Sequence, residues 1–90
     1  PEPPTAWTFT VNVRLSESGN RPVYNVNGED CELADVQRQL DRERAVRGPD
    51  MPVIVRAGAG VKYRHVDAVA RCAMNAGLSK VMHATESLYE

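Results

Sequence analysis

Apolar and polar residues alternate near the start of the chain. From Trp7 to Leu15 every second residue is apolar, and threonine, asparagine or arginine stands between them. A period of two is typical of a β-strand with one buried face and one wet face. A second strand is predicted over Pro22–Asn27, after a turn-forming segment rich in serine, glycine and asparagine, and Asn27-Gly28 ends it. The two strands are expected to pair as a hairpin.

The apolar spacing becomes helical after Gly28. Leu33, Val36 and Leu40 recur on one helical face, which predicts a first helix, with its approach, over Glu29–Arg47. Acidic residues stand near its start and arginines near its end, an order that complements the helix dipole. Gly48 and the proline after it are expected to stop this helix.

The second half of the chain has the pattern strand, helix, strand. A β-branched run predicts a buried strand over Met51–Ala57. A second helix is predicted over Tyr63–Ala76, with Gly77 in the position of a helix-terminating glycine, and a last strand over Ser79–Thr85. The apolar stripe of the second helix consists of Val66, Val69, Ala70, Ala73 and Met74.

The predicted order of elements is therefore β-β-α-β-α-β. The last β-α-β unit should join two parallel strands by a right-handed crossover. Because two helices must cover four strands, we predict an α+β fold. Its architecture is a two-layer sandwich in which a mixed sheet carries both helices on one face.

Length and charge narrow the function classes. Ninety residues are enough for one domain. The formal charge of −1, from 11 basic and 12 acidic residues, argues against a nucleic-acid binder. It also argues against docking on an anionic membrane surface. No apolar run approaches the roughly 20 residues that span a bilayer.

The candidate chemical motifs are weak. Gly58-Ala59-Gly60 follows a strand and precedes a helix, but a dinucleotide fingerprint needs a third glycine where Tyr63 stands. His65 and His83 have no nucleophile at motif spacing. The patterns therefore predict no catalytic residue, no cofactor and no metal site, so the domain is not expected to be an enzyme.

The two cysteines, Cys31 and Cys72, are too far apart in sequence for a metal knuckle. A disulfide between them would need an oxidising compartment. We predict two unpaired thiols.

The ordered set of segments resembles the C-terminal periplasmic domain of the ExbD/TolR family over nearly the whole chain, from Phe9 to Glu86. The segments that carry the resemblance are Val23–Glu29 with the acidic amphipathic helix after it, Pro52–Ala57, Val61–Tyr63, Val66–Val69, Asn75–Leu78, Lys80-Val81 and Ala84–Glu86.

The resemblance implies a function. Such proteins pair with an ExbB- or TolQ-type channel protein in the bacterial inner membrane. They couple the proton motive force to a TonB- or TolA-type partner, which drives outer-membrane transport or maintains the envelope. Their proton-carrying aspartate lies in a transmembrane helix that this chain does not contain. The resemblance therefore implies that residues 1–6 are a proline-rich linker from that helix, residues 7–87 the periplasmic domain and residues 88–90 a tail.

The function expected of this domain is recognition of a partner. An unpaired sheet edge offers backbone groups to an extended peptide or to a second copy in a homodimer. Pro22–Asn27 and Ser79–Thr85 are the two candidate edges. The predicted partner-binding residues are Val23, Tyr24, Val26, Tyr63, Val81 and His83.

Three other functions stay open. Peptidoglycan binding is also implied by the resemblance, through its TolR-like members. A small-molecule regulatory domain of the ferredoxin-like kind would run β-α-β-β-α-β, whereas this chain opens with two strands. A small hydrolase would need a convergent polar cluster, and the sequence contains no candidate for one.

Overall fold

The computed structural model describes residues 7–85, which form a five-stranded mixed sheet with two helices. The α+β class and the mixed sheet are confirmed. The predicted linker 1–6 and tail 88–90 lie outside the described residues, as do residues 86 and 87 of the predicted domain. The elements in chain order are β1 Phe9–Leu15, β2 Pro22–Val26, β3 Glu29–Cys31, α1 Leu33–Arg47, β4 Val53–Ala57, α2 Tyr63–Asn75 and β5 Val81–Thr85.

The strands lie side by side in the order β3-β2-β1-β4-β5. β1 and β2 pair antiparallel, as the predicted hairpin requires, and β2 pairs antiparallel with β3. β4 is parallel to both β1 and β5. The β4-α2-β5 segment is therefore a crossover between parallel strands, as predicted.

Alternation along the strands produces the two layers. Phe9, Val11 and Val13 of β1 are buried, whereas Asn12 and Arg14, which alternate with them, are exposed. The buried face lies under the helices, which add Val36, Leu40, Val66, Val69, Cys72 and Ala73 to the core. The apolar residues at every second position of the strands thus pack against the apolar faces of α1 and α2 in one layer.

The number of strands differs from the prediction. Asn27 and Gly28 have φ values of 56° and 87°, so both adopt the left-handed conformation of a two-residue hairpin turn. The chain therefore folds back at once, and Glu29–Cys31 pairs with Tyr24–Val26. Placing residues 29–31 in the approach to the first helix was wrong, whereas Glu32 is the residue that caps that helix. The observed order is β-β-β-α-β-α-β.

Element ends differ from the prediction by small amounts. β1, β4 and β5 each begin two residues later than predicted. α1 begins at Leu33, where the Asp35 carboxylate accepts a hydrogen bond of 3.1 Å from the Glu32 N–H. This contact satisfies one of the free donors at the start of the helix.

The end of α2 directs the chain into β5. The Leu78 N–H donates to the Ala73 carbonyl and the Gly77 N–H to the Met74 carbonyl, both at 3.0 Å. This pair of bonds is a Schellman motif, and Gly77 takes the left-handed position with φ 85°. Leu78 is buried beside Ala73, so the turn is also anchored in the core.

A candidate partner-binding border at β5

Within residues 7–85, β5 is one of the two borders of the sheet, because β4 is the one described strand that lies beside it. The Val53 N–H donates to the Lys80 carbonyl at 2.8 Å. In a strand, the N–H and C=O of one residue point to the same side and successive residues alternate. The backbone groups of Met82 therefore face β4, and those of Val81 and His83 face the open border.

A small apolar hollow of about 170 Å³ lies next to this border, where the parallel strands β4 and β5 end and α2 begins. It is smaller than the roughly 300–1,000 Å³ of most small-molecule pockets, so its size suits a single side chain. Its lining consists of Val55, Ala57, Val61, Tyr63, Val66, His83 and Ala84.

Two aromatic rings form the rim of the hollow. The ring centroids of Tyr63 and His83 are 6.2 Å apart, and the ring planes are tilted by 55°. Tyr63 stands at the first position of α2 and is 67% exposed. His83 shares the helix-covered face of the sheet with its register partner Val55 but is exposed, because β5 has no further neighbour. Both side chains are therefore available to a partner that lies along β5.

The surroundings of the hollow carry positive charge. Residues 51–85 include five basic residues and one acid, Asp67, whose carboxylate accepts a hydrogen bond of 2.7 Å from Arg71. The first turn of α2 holds no acidic residue, so the positive end of its dipole is uncompensated there. The basic residues without an ion pair in the described part of this segment are Arg56, Lys62, Arg64 and Lys80. Two further acids, Glu86 and Glu90, follow β5 in the sequence outside the described residues.

The opposite border, β3, differs in length and charge. It has only three residues, Glu29–Cys31, and two of them are acidic. Arg14 forms a two-pronged ion pair with Asp30, with both N–O distances 2.9 Å, and Asn25 donates to the same carboxylate at 3.0 Å. The hydrogen bonds from Arg14 and Asn25 hold the pKa of Asp30 well below its usual range. This border is therefore short and acidic, and its central side chain is already bonded within the sheet.

The six predicted partner-binding residues lie in three places. Tyr63, Val81 and His83 come together at the β5 border, which contains one of the two predicted edges. The alternative edge, Pro22–Asn27, was wrong, because β2 lies between β1 and β3. Tyr24 and Val26 are 6% and 2% exposed and belong to the core, so their side chains have no surface to offer a partner.

Val23 is the remaining residue of the predicted set. It is half-buried on the open face of the sheet, opposite Arg14 in register, and β1 and β4 lie between its strand and β5.

Two residues of the border were absent from the predicted partner-binding set. Met82, 49% exposed, and Ala84 lie on the open face of β5, next to Ile54 and Arg56 of β4. The strand pattern placed them in β5, but only the order of the strands shows that this face continues to a free border.

The glycine loop after β4 has an ordinary structural explanation. Gly60 has φ 83°, a conformation that L side chains rarely adopt. A Cβ at Gly58 would meet only the Val13 carbonyl, at 3.8 Å, which is normal contact. Neither position requires a ligand to explain its glycine.

Both cysteines are free thiols in the structure. Burial raises the pKa of Cys72 and, together with the nearby acids, that of Cys31. Thiols with raised pKa are poor nucleophiles at neutral pH. Within residues 7–85 there is also no group of three histidine, cysteine, aspartate or glutamate side chains that could hold a metal ion.

Comparison with known proteins adds no family. No family model matches the chain, and no curated protein matches it at a significant level. None of the helices in the described region is long and apolar enough to cross a bilayer.

Proposed function

We propose that this chain is the partner-binding domain of a proton-driven, energy-transducing complex of the ExbB-ExbD or TolQ-TolR type. The domain stands in the periplasm and is held to the inner membrane by a transmembrane helix outside this chain. It acts by binding a TonB- or TolA-type protein, and it is not itself an enzyme. The observation that carries the proposal is the uncovered β5 border, with its outward backbone groups beside the hollow at Tyr63 and His83.

The geometry favours recognition of a protein segment over small-molecule chemistry. An extended peptide adds to a sheet edge through backbone hydrogen bonds, while pockets for alternate side chains select its sequence. β5 supplies the backbone groups of Val81 and His83, and the hollow supplies one pocket on the helix-covered side. In the described residues the polar groups around the hollow do not form a hydrogen-bonded acid–base or nucleophile pair.

In the proposed complex, proton uptake and release take place in the membrane, and partner binding takes place in the periplasmic domain. A carboxylate in a transmembrane helix, next to the channel protein, would take up and release protons. The periplasmic domain converts the resulting movement of that helix into binding and release of its partner. The proposal also includes a homodimer, without assigning its interface. Sedimentation of the isolated domain measures directly whether it dimerises.

The test of the proposed complex uses the parent polypeptide. We expect about 20 apolar residues with a single aspartate to precede this domain in its gene. The full-length protein should co-purify with its channel protein, and substituting asparagine for the aspartate should stop proton-driven transport while leaving the complex assembled. A soluble domain in place of the apolar segment would refute the proposed function.

A further inference from the structure

We infer that β5 binds an extended segment of a partner protein in which acidic and aliphatic residues alternate. The inference rests on the proposed recognition function of β5 and goes beyond it by specifying the chemistry of the partner. Three features of the described residues carry it: the direction of the backbone groups of β5, the position of the hollow, and the distribution of charge on the two sides of the border.

The backbone of β5 sets the register of the added strand. Val81 and His83 point their N–H and C=O groups away from β4, which follows from the bond between the Val53 N–H and the Lys80 carbonyl. A segment that lies along β5 must exchange its hydrogen bonds with these two residues. Met82, whose backbone groups face β4, has none left for a partner.

The two faces of the sheet then determine which side chains fit. On the helix-covered face, an added residue beside His83 lies against the hollow formed by Val61, Tyr63 and Val66. At about 170 Å³ this hollow accepts one aliphatic side chain. Because side chains of a strand alternate between faces, the next residue on this side of the segment lies beside Val81, which packs against the core. We therefore place aliphatic residues at every second position of the segment.

The open face requires the opposite chemistry. Arg56 lies beside Ala84 in register, and Lys80 immediately precedes β5. Neither has an ion pair in the described residues. Lys62 and Arg64 stand at the start of α2, on the helix-covered side, so Arg56 and Lys80 are the cations of the open face. Glutamate or aspartate at the alternate positions of the segment would therefore meet cations that the domain leaves unpaired.

The charge of the border also argues against a second copy as the occupant. Two copies of β5 paired about their centre would place His83 opposite His83 and bring two basic surfaces together, which is unfavourable. The border β3, by contrast, presents Glu29 and Asp30 on its own three residues, which would repel such a segment. The acidic segment should therefore not bind along the short strand Glu29–Cys31, which serves as a negative control within the same domain.

The test is a titration of the 90-residue chain with synthetic peptides of about seven residues, in which glutamate and leucine alternate. We expect binding that weakens as salt is added, because the contacts on the open face are electrostatic. A matched peptide with lysine in place of glutamate should bind at least about tenfold more weakly, a difference of about 1.4 kcal/mol. Amide exchange should slow at Val81 and His83 on binding, and Met82 should be protected with and without peptide.

Variants separate the three features. His83→Pro removes an outward N–H that β4 does not use, so the sheet should form while the peptide no longer binds. The double variant R56Q/K80Q should weaken the acidic peptide and reduce its salt dependence. R21Q/R42Q, the same charge change at exposed arginines away from β5, should bind as the original chain does.

N-methylation of the peptide provides a test that does not depend on the folding of any variant. Methyl groups on the alternate amides that face β5 should abolish binding, and methyl groups on the other set should leave it intact. Equal binding of both methylated peptides, or of the lysine peptide, would overturn the inference. So would protection of β5 by self-association without peptide. None of these outcomes bears on whether an apolar segment with an aspartate precedes the domain. Failure of this inference and failure of the proposed complex are therefore distinguishable.

Discussion

Gly77→Ala is predicted to destabilise the domain through two separable effects. Gly77 occupies the left-handed position of the Schellman motif that ends α2, with φ 85°. A Cβ there would also come within 3.4 Å of Nε and 3.5 Å of Nη2 of Arg44, which lies across the glycine from α1. The substitution therefore strains the backbone just before β5 and places the new methyl group against Arg44 at the short limit of ordinary contact.

The size of each effect follows from the geometry. A side chain in the left-handed conformation costs about 1–2 kcal/mol, and the reduced freedom of alanine in the unfolded chain returns about 0.4–1 kcal/mol. The net cost of strain is therefore about 1 kcal/mol. Overpacking costs about 1–3 kcal/mol in rigid cores, but Arg44 is a flexible side chain that can move aside. We expect crowding to add less than about 1 kcal/mol.

Gly19→Ala is the matched control for backbone strain. Gly19 has φ 80° in the turn between β1 and β2, and a Cβ there would meet nothing within 4 Å. Thermal and urea unfolding of both variants should give a melting temperature lowered by about 4–8 °C for each kcal/mol lost, with a further decrease for Gly77→Ala. Adding Arg44→Ala to each background in a double-mutant cycle measures the crowding by itself.

Two results would refute this reasoning. An unchanged or raised melting temperature for Gly77→Ala would mean that the left-handed position imposes no constraint at the end of α2. Equal losses for Gly77→Ala and Gly19→Ala, with no coupling to Arg44, would mean that a Cβ at position 77 fits against Arg44 without crowding.

Two further predictions concern the core and the β3 border. Leu40→Ala should lower the free energy of unfolding by about 2–5 kcal/mol, because Leu40 is fully buried. Urea denaturation measures this loss. The control Val46→Ala, at a 74% exposed position, should change the free energy of unfolding by less than about 0.5 kcal/mol. Hydrogen bonds from Arg14 lower the pKa of Asp30 in the folded protein. The pair therefore contributes its full stability above about pH 3.9, the pKa of an aspartate in the unfolded chain. This contribution is lost as the pH falls towards the lower pKa of the folded protein. Asp30→Asn should remove that part of the acid dependence in thermal melts, and Asp50→Asn should leave it unchanged.

The elements with a strong local pattern could be predicted from sequence. Strict alternation in β1, the apolar stripe of α2 and the glycine at position 77 each depend on neighbours within a few residues. Met74 was wrongly placed in that stripe, because it is 66% exposed and Cys72 is buried instead. β3 has no such signal, because Glu29–Cys31 contains no apolar alternation. It is a strand only because the Asn27-Gly28 turn returns the chain to β2, whose hydrogen-bonding groups it then shares.

The candidate site was harder to predict for a different reason. Alternating apolar residues are equally consistent with a buried face and with a binding edge, so Tyr24 and Val26 were assigned to the wrong function. The order of the strands decides between the two, and it depends on contacts distant in sequence, such as the parallel pairing of β1 with β4. The positive charge around β5 is present in the sequence, but the net charge of −1 conceals it because the acids are concentrated before Met51.

β5 reconciles two requirements that conflict at most sheet borders. A border strand must bond firmly to its neighbour, yet a border that binds partners must leave backbone groups free. In β5 these requirements fall on alternate residues: Met82 faces β4, while Val81 and His83 face outward. The Schellman turn at Gly77 and the buried Leu78 hold the start of β5 in place from the α2 side. The strand can therefore be ordered before a partner arrives, and such preorganisation lowers the entropy that binding must offset.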